Sequence, residues 1–166
     1  MILVVDVQYS EDTAVVAGIL FPDWESSDIT RTLTKKVDNI APYKPGKFYK
    51  RELPCILSLL EDINEPISTI IIDGYVVLGN EQTAGLGQYL FNALNERIPV
   101  IGVAKKFFEN TPAECEILRG ESEKPLYITS VGIDLDEAKQ LIINMQGAFR
   151  IPTLLKKVDQ LCREII

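Results

Sequence analysis

Asp6 lies inside the most hydrophobic run of a 166-residue chain, between Val4-Val5 and Val7, where an ionised carboxylate is costly unless a cation compensates it. Asp73 closes a second apolar run, Ile71-Ile72-Asp73-Gly74, and carboxyl ends of strands are where α/β sheets gather ligands. Glu52 stands beside Lys50 and Arg51, and Asp159 falls seven residues after Pro152, two turns into a helix. The chain has no histidine, which excludes histidine triads, histidine-ligated zinc and an imidazole base. Carboxylates without imidazole suit a hard cation, Mg²⁺ with Mn²⁺ as substitute, which keeps water and binds phosphate oxygens; hydrolysis of a phosphodiester needs such an ion. Spacing alone does not select Glu52 and Asp159 from the other acids, and both also read as solvated helix charges.

Those acids need strands and helices to gather them. Ile2 to Tyr9 and Thr13 to Phe21 are β-branched apolar runs joined by Ser10-Glu11-Asp12, which predicts a hairpin, and Asp28 to Ile40 alternates well enough to add a third antiparallel strand. The pattern then turns helical over Tyr49 to Ile63. Ser68 to Asp73 reads as a short buried strand, Thr83 to Glu96 as a helix, Pro99 to Ala104 as a strand and Leu126 to Thr129 as a weaker one. Helices over Asp136 to Met145 and Pro152 to Ile165 follow, the second opened by a proline suited to a first turn. The expectation is an α/β fold with a ribonuclease-H-like mixed sheet, three antiparallel strands then parallel strands, flanked by helices. No repeat or linker divides the chain, so residues 1–166 are expected to form one domain.

Composition narrows the class without choosing it. With 46% hydrophobic and 25% charged residues the chain has the balance of a globular domain. Three widely spaced cysteines, Cys55, Cys115 and Cys162, support neither a disulfide framework nor a CxxC metal site. No apolar stretch is long enough for a membrane span and no signal-peptide pattern opens the chain, so a cytoplasmic protein without a membrane partner is expected, with a monomer as the default. A net charge of −7 argues against simple coating of nucleic acid, although a carboxylate cage neutralised by cations and a local basic rim can still attract phosphate.

Several segments, in order along most of the chain, resemble the endonuclease V family. They are Val5-Asp6-Val7-Gln8-Tyr9, Pro42-Tyr43-Lys44-Pro45-Gly46 followed by Arg51-Glu52, Ile72-Asp73-Gly74, Pro99 through Lys106, Pro125-Leu126-Tyr127-Ile128, and Arg150-Ile151-Pro152 with Asp159 beyond. The resemblance implies a Mg²⁺-dependent endonuclease cutting DNA or RNA near a deaminated purine. It implies that Asp6, Glu52 and Asp73 hold the metal, that Asp159 takes a fourth position and that Lys105 neutralises the scissile phosphate. It also implies a wedge of Pro42, Tyr43, Lys44, Pro45 and Gly46, with Gly74, Lys106 and Arg150 as further nucleic-acid contacts.

The chain departs from the family pattern at Gly74-Tyr75-Val76, where bulk is expected to narrow a base pocket, and at Val131-Gly132-Ile133. Two other readings therefore stand beside the first: a catalytically weak homologue that binds nucleic acid or a protein partner, and a ribonuclease-H-like nuclease for a different structured substrate.

Overall fold

A computed structural model describes residues 1–38, 40–42, 44, 45, 47 and 49–164. Strands β1 (Ile2–Ser10), β2 (Thr13–Phe21) and β3 (Arg31–Asp38) form the antiparallel meander. Helix α1 (Tyr49–Leu60) follows, then β4 (Thr69–Asp73), a small hairpin of β5 (Val77–Leu78) and β6 (Thr83–Ala84), helix α2 (Leu86–Ala93) and β7 (Val100–Ala104). A 3-10 turn at Ala113–Cys115 leads to β8 (Glu116–Ile117) and β9 (Leu126–Val131), and helices α3 (Leu135–Ile143) and α4 (Thr153–Glu164) end the described chain.

The main sheet has the order β3-β2-β1-β4-β7-β9-β8. β4 lies parallel to β1 and to β7, as the intervening helices require, while β9 runs antiparallel to β7. Alternation along the strands sends successive side chains into two cores. Val4, Ile71, Ile101 and Val103 pack under α3 and α4 with Leu154, Leu155 and Val158. Val5, Ile72 and Val100 pack on the opposite face, with Ile56 and Leu59 of α1 and Leu90 of α2.

The expected helix over Thr83 to Glu96 is shorter than its pattern. Thr83–Ala84 pairs with Val77–Leu78, and the helix begins only after Gly85, whose extended backbone (φ −106°, ψ −168°) stands at its N-cap. Two glycines close together weaken helical propensity, so a hairpin captured the first residues. The third strand is trimmed to Arg31–Asp38. The weak strand at Leu126 grows to Val131, because Ser130 and Val131 pair with Ile101 and Val100 of β7. Helix α3 starts one residue before Asp136, because the side chain of Asp134 accepts from the backbone N–H groups of Asp136 and Glu137 and caps the turn.

Candidate active site

Asp6 follows Val4 on the face of β1 that looks toward α4, and it is 8% exposed. Val5 pairs with Ile72 in the parallel register, so one further step sets Asp6, midway along β1, beside Asp73 at the carboxyl end of β4. Asp73 shares its face with Ile71 and pairs across to Val103 on β7. Two strand positions beyond Val103 comes Lys105, whose ammonium lies 3.6 Å from the Asp73 carboxylate, with the two side chains 34% and 40% exposed. Sheet register thus draws together Asp6, Asp73 and Lys105, which are separated by up to a hundred residues of chain. They line one small depression with Val4, Val103, Leu155 and Val158.

Helix α4 supplies Asp159 to the same group. Its carboxylate accepts from Arg163 Nε at 3.0 Å and, more weakly, from the Gln8 amide at 3.5 Å. Asp6 accepts from the Val7 N–H at 2.9 Å. One ligand atom from each of Asp6, Asp159 and Cys162 lies within 4.8 Å of the others, the tightest set of potential metal ligands among the described residues. Glu52 and Asp73 fall outside that set. The Cys162 thiol reaches Asp6 Oδ2 at 3.7 Å and the Asp159 carbonyl at 3.2 Å, and burial beside these acids pushes it up to about 12, so it stands as a protonated thiol. Cys162 escaped sequence reasoning, although its place three residues after Asp159 on one helix face was the available signal.

Glu52 approaches from the other layer, in the first turn of α1. Its carboxyl is raised to about 8, first by burial and then by repulsion from Asp73 and Asp6. Asp6 is raised by burial, by Asp73 and by a hydrogen bond shared with Asp159. Asp73 is raised by burial, against the downward pull of Lys105. For Asp159 burial acts upward but the hydrogen bonds from Asp6 and Arg163 win, and it is held below the ordinary carboxylate range. Asp6, Asp73 and Glu52, each with raised proton affinity, are close enough for like-charge repulsion that a divalent cation would relieve. With all-carboxylate donors and no imidazole, the residues fit a hard ion.

Beside the acids opens a cleft of about 580 Å³ whose lining includes Tyr49, Glu52, Asp73, Gly74, Tyr75 and Lys106. Its shape depends on two glycines. Gly74 has φ +134°, which L side chains rarely adopt, and turns the chain immediately after Asp73. That turn lies directly on Gly102 of β7, where a Cβ would come within 2.5 Å of the Gly74 carbonyl oxygen. The Val76 N–H donates to Thr129 Oγ1 at 2.8 Å and its side chain is fully buried in the core, so Val76 leaves the cleft and only Tyr75 adds bulk to the wall.

The remaining sequence expectations distribute as follows. Pro42, Lys44 and Pro45 are exposed in the segment before α1, whereas Tyr43 and Gly46 lie outside the described residues. Lys106 is exposed in the cleft wall. Arg150 turns inward, donating from Nη2 to the carbonyls of Lys105 (2.6 Å) and Pro125 (2.8 Å) and from Nε to that of Lys124 (3.2 Å). Its fixed fork therefore braces the strand end that carries Lys105.

A family model described as Endonuclease V matches residues 1–160. Endonuclease V of Streptomyces avermitilis is 30% identical over 184 aligned residues, which span 98% of this chain and 79% of that protein. Endonuclease V of Pyrococcus horikoshii is also 30% identical, over 96% of this chain and 71% of its own. The crystal structure of the Streptomyces avermitilis enzyme matches with a TM-score of 0.79 at 27% identity, covering 99% of this chain and 80% of the other. Ciona intestinalis Endonuclease V, in complex with a 24mer DNA containing an inosine followed by a ribo-adenosine, matches with a TM-score of 0.80. At 20% identity, over 99% of this chain and 84% of that one, this likeness speaks for the fold.

Proposed function

Because the chain belongs to the endonuclease V family, we propose that it is a metal-dependent endonuclease that hydrolyses a phosphodiester near a deaminated purine, hypoxanthine or inosine, in DNA or RNA. What supports this reading is that Asp6, Asp73 and Glu52 lie near enough for charge on one to raise the proton affinity of another, with Lys105 against Asp73 and an open cleft beside them. Asp6, Glu52 and Asp73 would hold Mg²⁺, with Mn²⁺ able to replace it, and Asp159 would take the fourth position. When bound, the ion supplies Lewis-acid polarisation of the phosphate and activation of water.

The protein's own groups do the rest. Lys105 neutralises charge that develops on the phosphate oxygens, and Asp73 keeps its ammonium in place. Arg163 and Gln8 orient Asp159 from behind. Gly74, with nothing within 4 Å of its would-be Cβ, leaves backbone open to a flipped base in the cleft. Pro42, Tyr43, Lys44, Pro45 and Gly46 would form the wedge that fills the vacated stack, with Lys106 on the phosphate backbone and Arg150 supporting Lys105. The active unit would be one domain over residues 1–166, acting as a monomer.

Incubation with inosine-containing single- and double-stranded DNA and RNA, with Mg²⁺ or Mn²⁺, tests the reading. Cleavage is expected near the inosine, abolished in Asp6→Ala and Asp73→Asn. Equal inactivity of the wild type and Asp6→Ala on every strand type would overturn it. One observation favours a homologue that binds without cutting: Asp159 is already matched by Arg163 and by Asp6. Calorimetry separates the two, since a non-cutting homologue would take up no Mn²⁺ at millimolar concentration.

A further inference from the structure

Lys105-Lys106-Phe107-Phe108 leaves the end of β7, and Lys106, Phe107 and Phe108 form one wall of the cleft. Phe107 is 60% exposed and Phe108 40%, two of the four exposed large hydrophobic side chains among the described residues. Exposed rings on a free loop would mean little, but this segment is held at several points. Arg150 Nη2 donates to the Lys105 carbonyl at 2.6 Å. The Tyr75 hydroxyl donates to the Lys106 carbonyl at 2.7 Å and accepts the Phe108 N–H at 3.1 Å. Thr111 returns N–H and hydroxyl donors to the Phe108 carbonyl at 3.0 and 2.6 Å. Phe107 sets its ring edge-on to Tyr127, with centroids 5.7 Å apart, and Phe108 tilts against Tyr75 at 6.0 Å.

Folding gains little from ordering rings that stay in water, so a fixed pair of solvent-facing aromatics marks a surface waiting for apolar area. The charge around it narrows the partner. The chain carries −7 overall, yet the two residues before the rings are lysines. Cationic groups for phosphate next to flat apolar faces for bases are the combination by which proteins hold single strands without reading sequence. We propose that Phe107 and Phe108, with Lys106, form a platform on which unpaired bases of a single-stranded segment stack as it leaves the cleft.

The proposal rests on the nuclease reading for its biological sense, but its test does not use cleavage. Binding of labelled, inosine-free oligonucleotides is followed by fluorescence anisotropy in EDTA, comparing oligo-dT, a matched duplex and an abasic strand of equal length. Phe107→Ala and Phe108→Ala should each weaken oligo-dT binding roughly five- to 150-fold, the range expected for loss of one stacked base. They should change duplex and abasic-strand binding less than about twofold, since neither ligand offers a free base face. Phe107→Trp should keep oligo-dT affinity, and Lys106→Gln should weaken all three ligands alike. Unchanged oligo-dT affinity in both alanine variants overturns the proposal, as does an equal loss on the abasic strand or no binding of oligo-dT by the wild type. The last result would assign the rings to a protein partner. Inosine cleavage can fail while these affinities hold, and the converse, so the two readings stand or fall separately.

Discussion

Replacing Glu52 by glutamine should make the metal-free protein more stable, and increasingly so as pH rises. In the folded chain the Glu52 carboxyl is raised from 4.5 to about 8, mainly by burial. A carboxyl with a raised folded-state value is fully tolerated below about 4.5, where both states are protonated; ionisation then favours the unfolded chain progressively until about 8. At about 1.4 kcal/mol per tenfold change in proton affinity, the wild type would be penalised by about 1 kcal/mol at pH 5.5 and about 4 kcal/mol at pH 8. Glutamine keeps the shape and removes the ionisation. For a chain of this size the gain in Tm should be about 2–4 °C at pH 5.5 and about 8–16 °C at pH 8. Thermal unfolding followed by circular dichroism in EDTA across that range is the assay. Saturating Mn²⁺ should then raise the wild type more than the variant at pH 8, because the ion takes the place of the missing protons. A gain that stays flat with pH, or a variant less stable than the wild type at pH 8, would refute the idea that Glu52 is a buried, repelled acid.

Lys105→Gln should lower cleavage about a hundredfold by removing a charge that faces the transition state. It should shift Tm little, because a half-exposed pair such as Lys105 with Asp73 contributes about 0–1 kcal/mol. Gly102→Ala should cost about 3 kcal/mol or more, since its Cβ would sit 2.5 Å from the Gly74 carbonyl oxygen, and should reduce activity in whatever protein folds by displacing Asp73; urea unfolding and initial rates measure both. Arg119→Met should cost about 3–5 kcal/mol in urea unfolding, because Arg119, 4% exposed, donates to carbonyls of Ile143, Met145, Gly147, Phe149 and Arg150 and all five of these bonds would be lost. An Arg119→Met protein within about 1 kcal/mol of wild type would show that water replaces those bonds without loss.

What was legible from residues alone follows from period and composition. Alternation and β-branching marked β1, β2, β4 and β7, and a lone acid inside the valines around Asp6 could be flagged because burying charge is costly anywhere. The absence of histidine already excluded imidazole chemistry and left carboxylates, lysines, hydroxyls or a bound metal. Local signals were weaker where elements are short. The β5–β6 hairpin took the start of an expected helix, and β8 with the antiparallel course of β9 depended on an edge being available in the sheet.

Only the tertiary structure decided which acids meet. Parallel register set Asp6 beside Asp73 and sent Lys105 onto the same face, while packing of α1 and α4 on opposite layers brought Glu52 and Asp159 to the strand ends. No spacing along the chain encodes that register. It comes from both faces of β4 and β7 being buried, so that a one-residue slip would turn every core side chain to the wrong layer. The bonds from Tyr75 and Arg150 that stiffen Lys105 through Phe108 are invisible to sequence for the same reason: each joins groups more than thirty residues apart to a backbone carbonyl, which carries no residue identity.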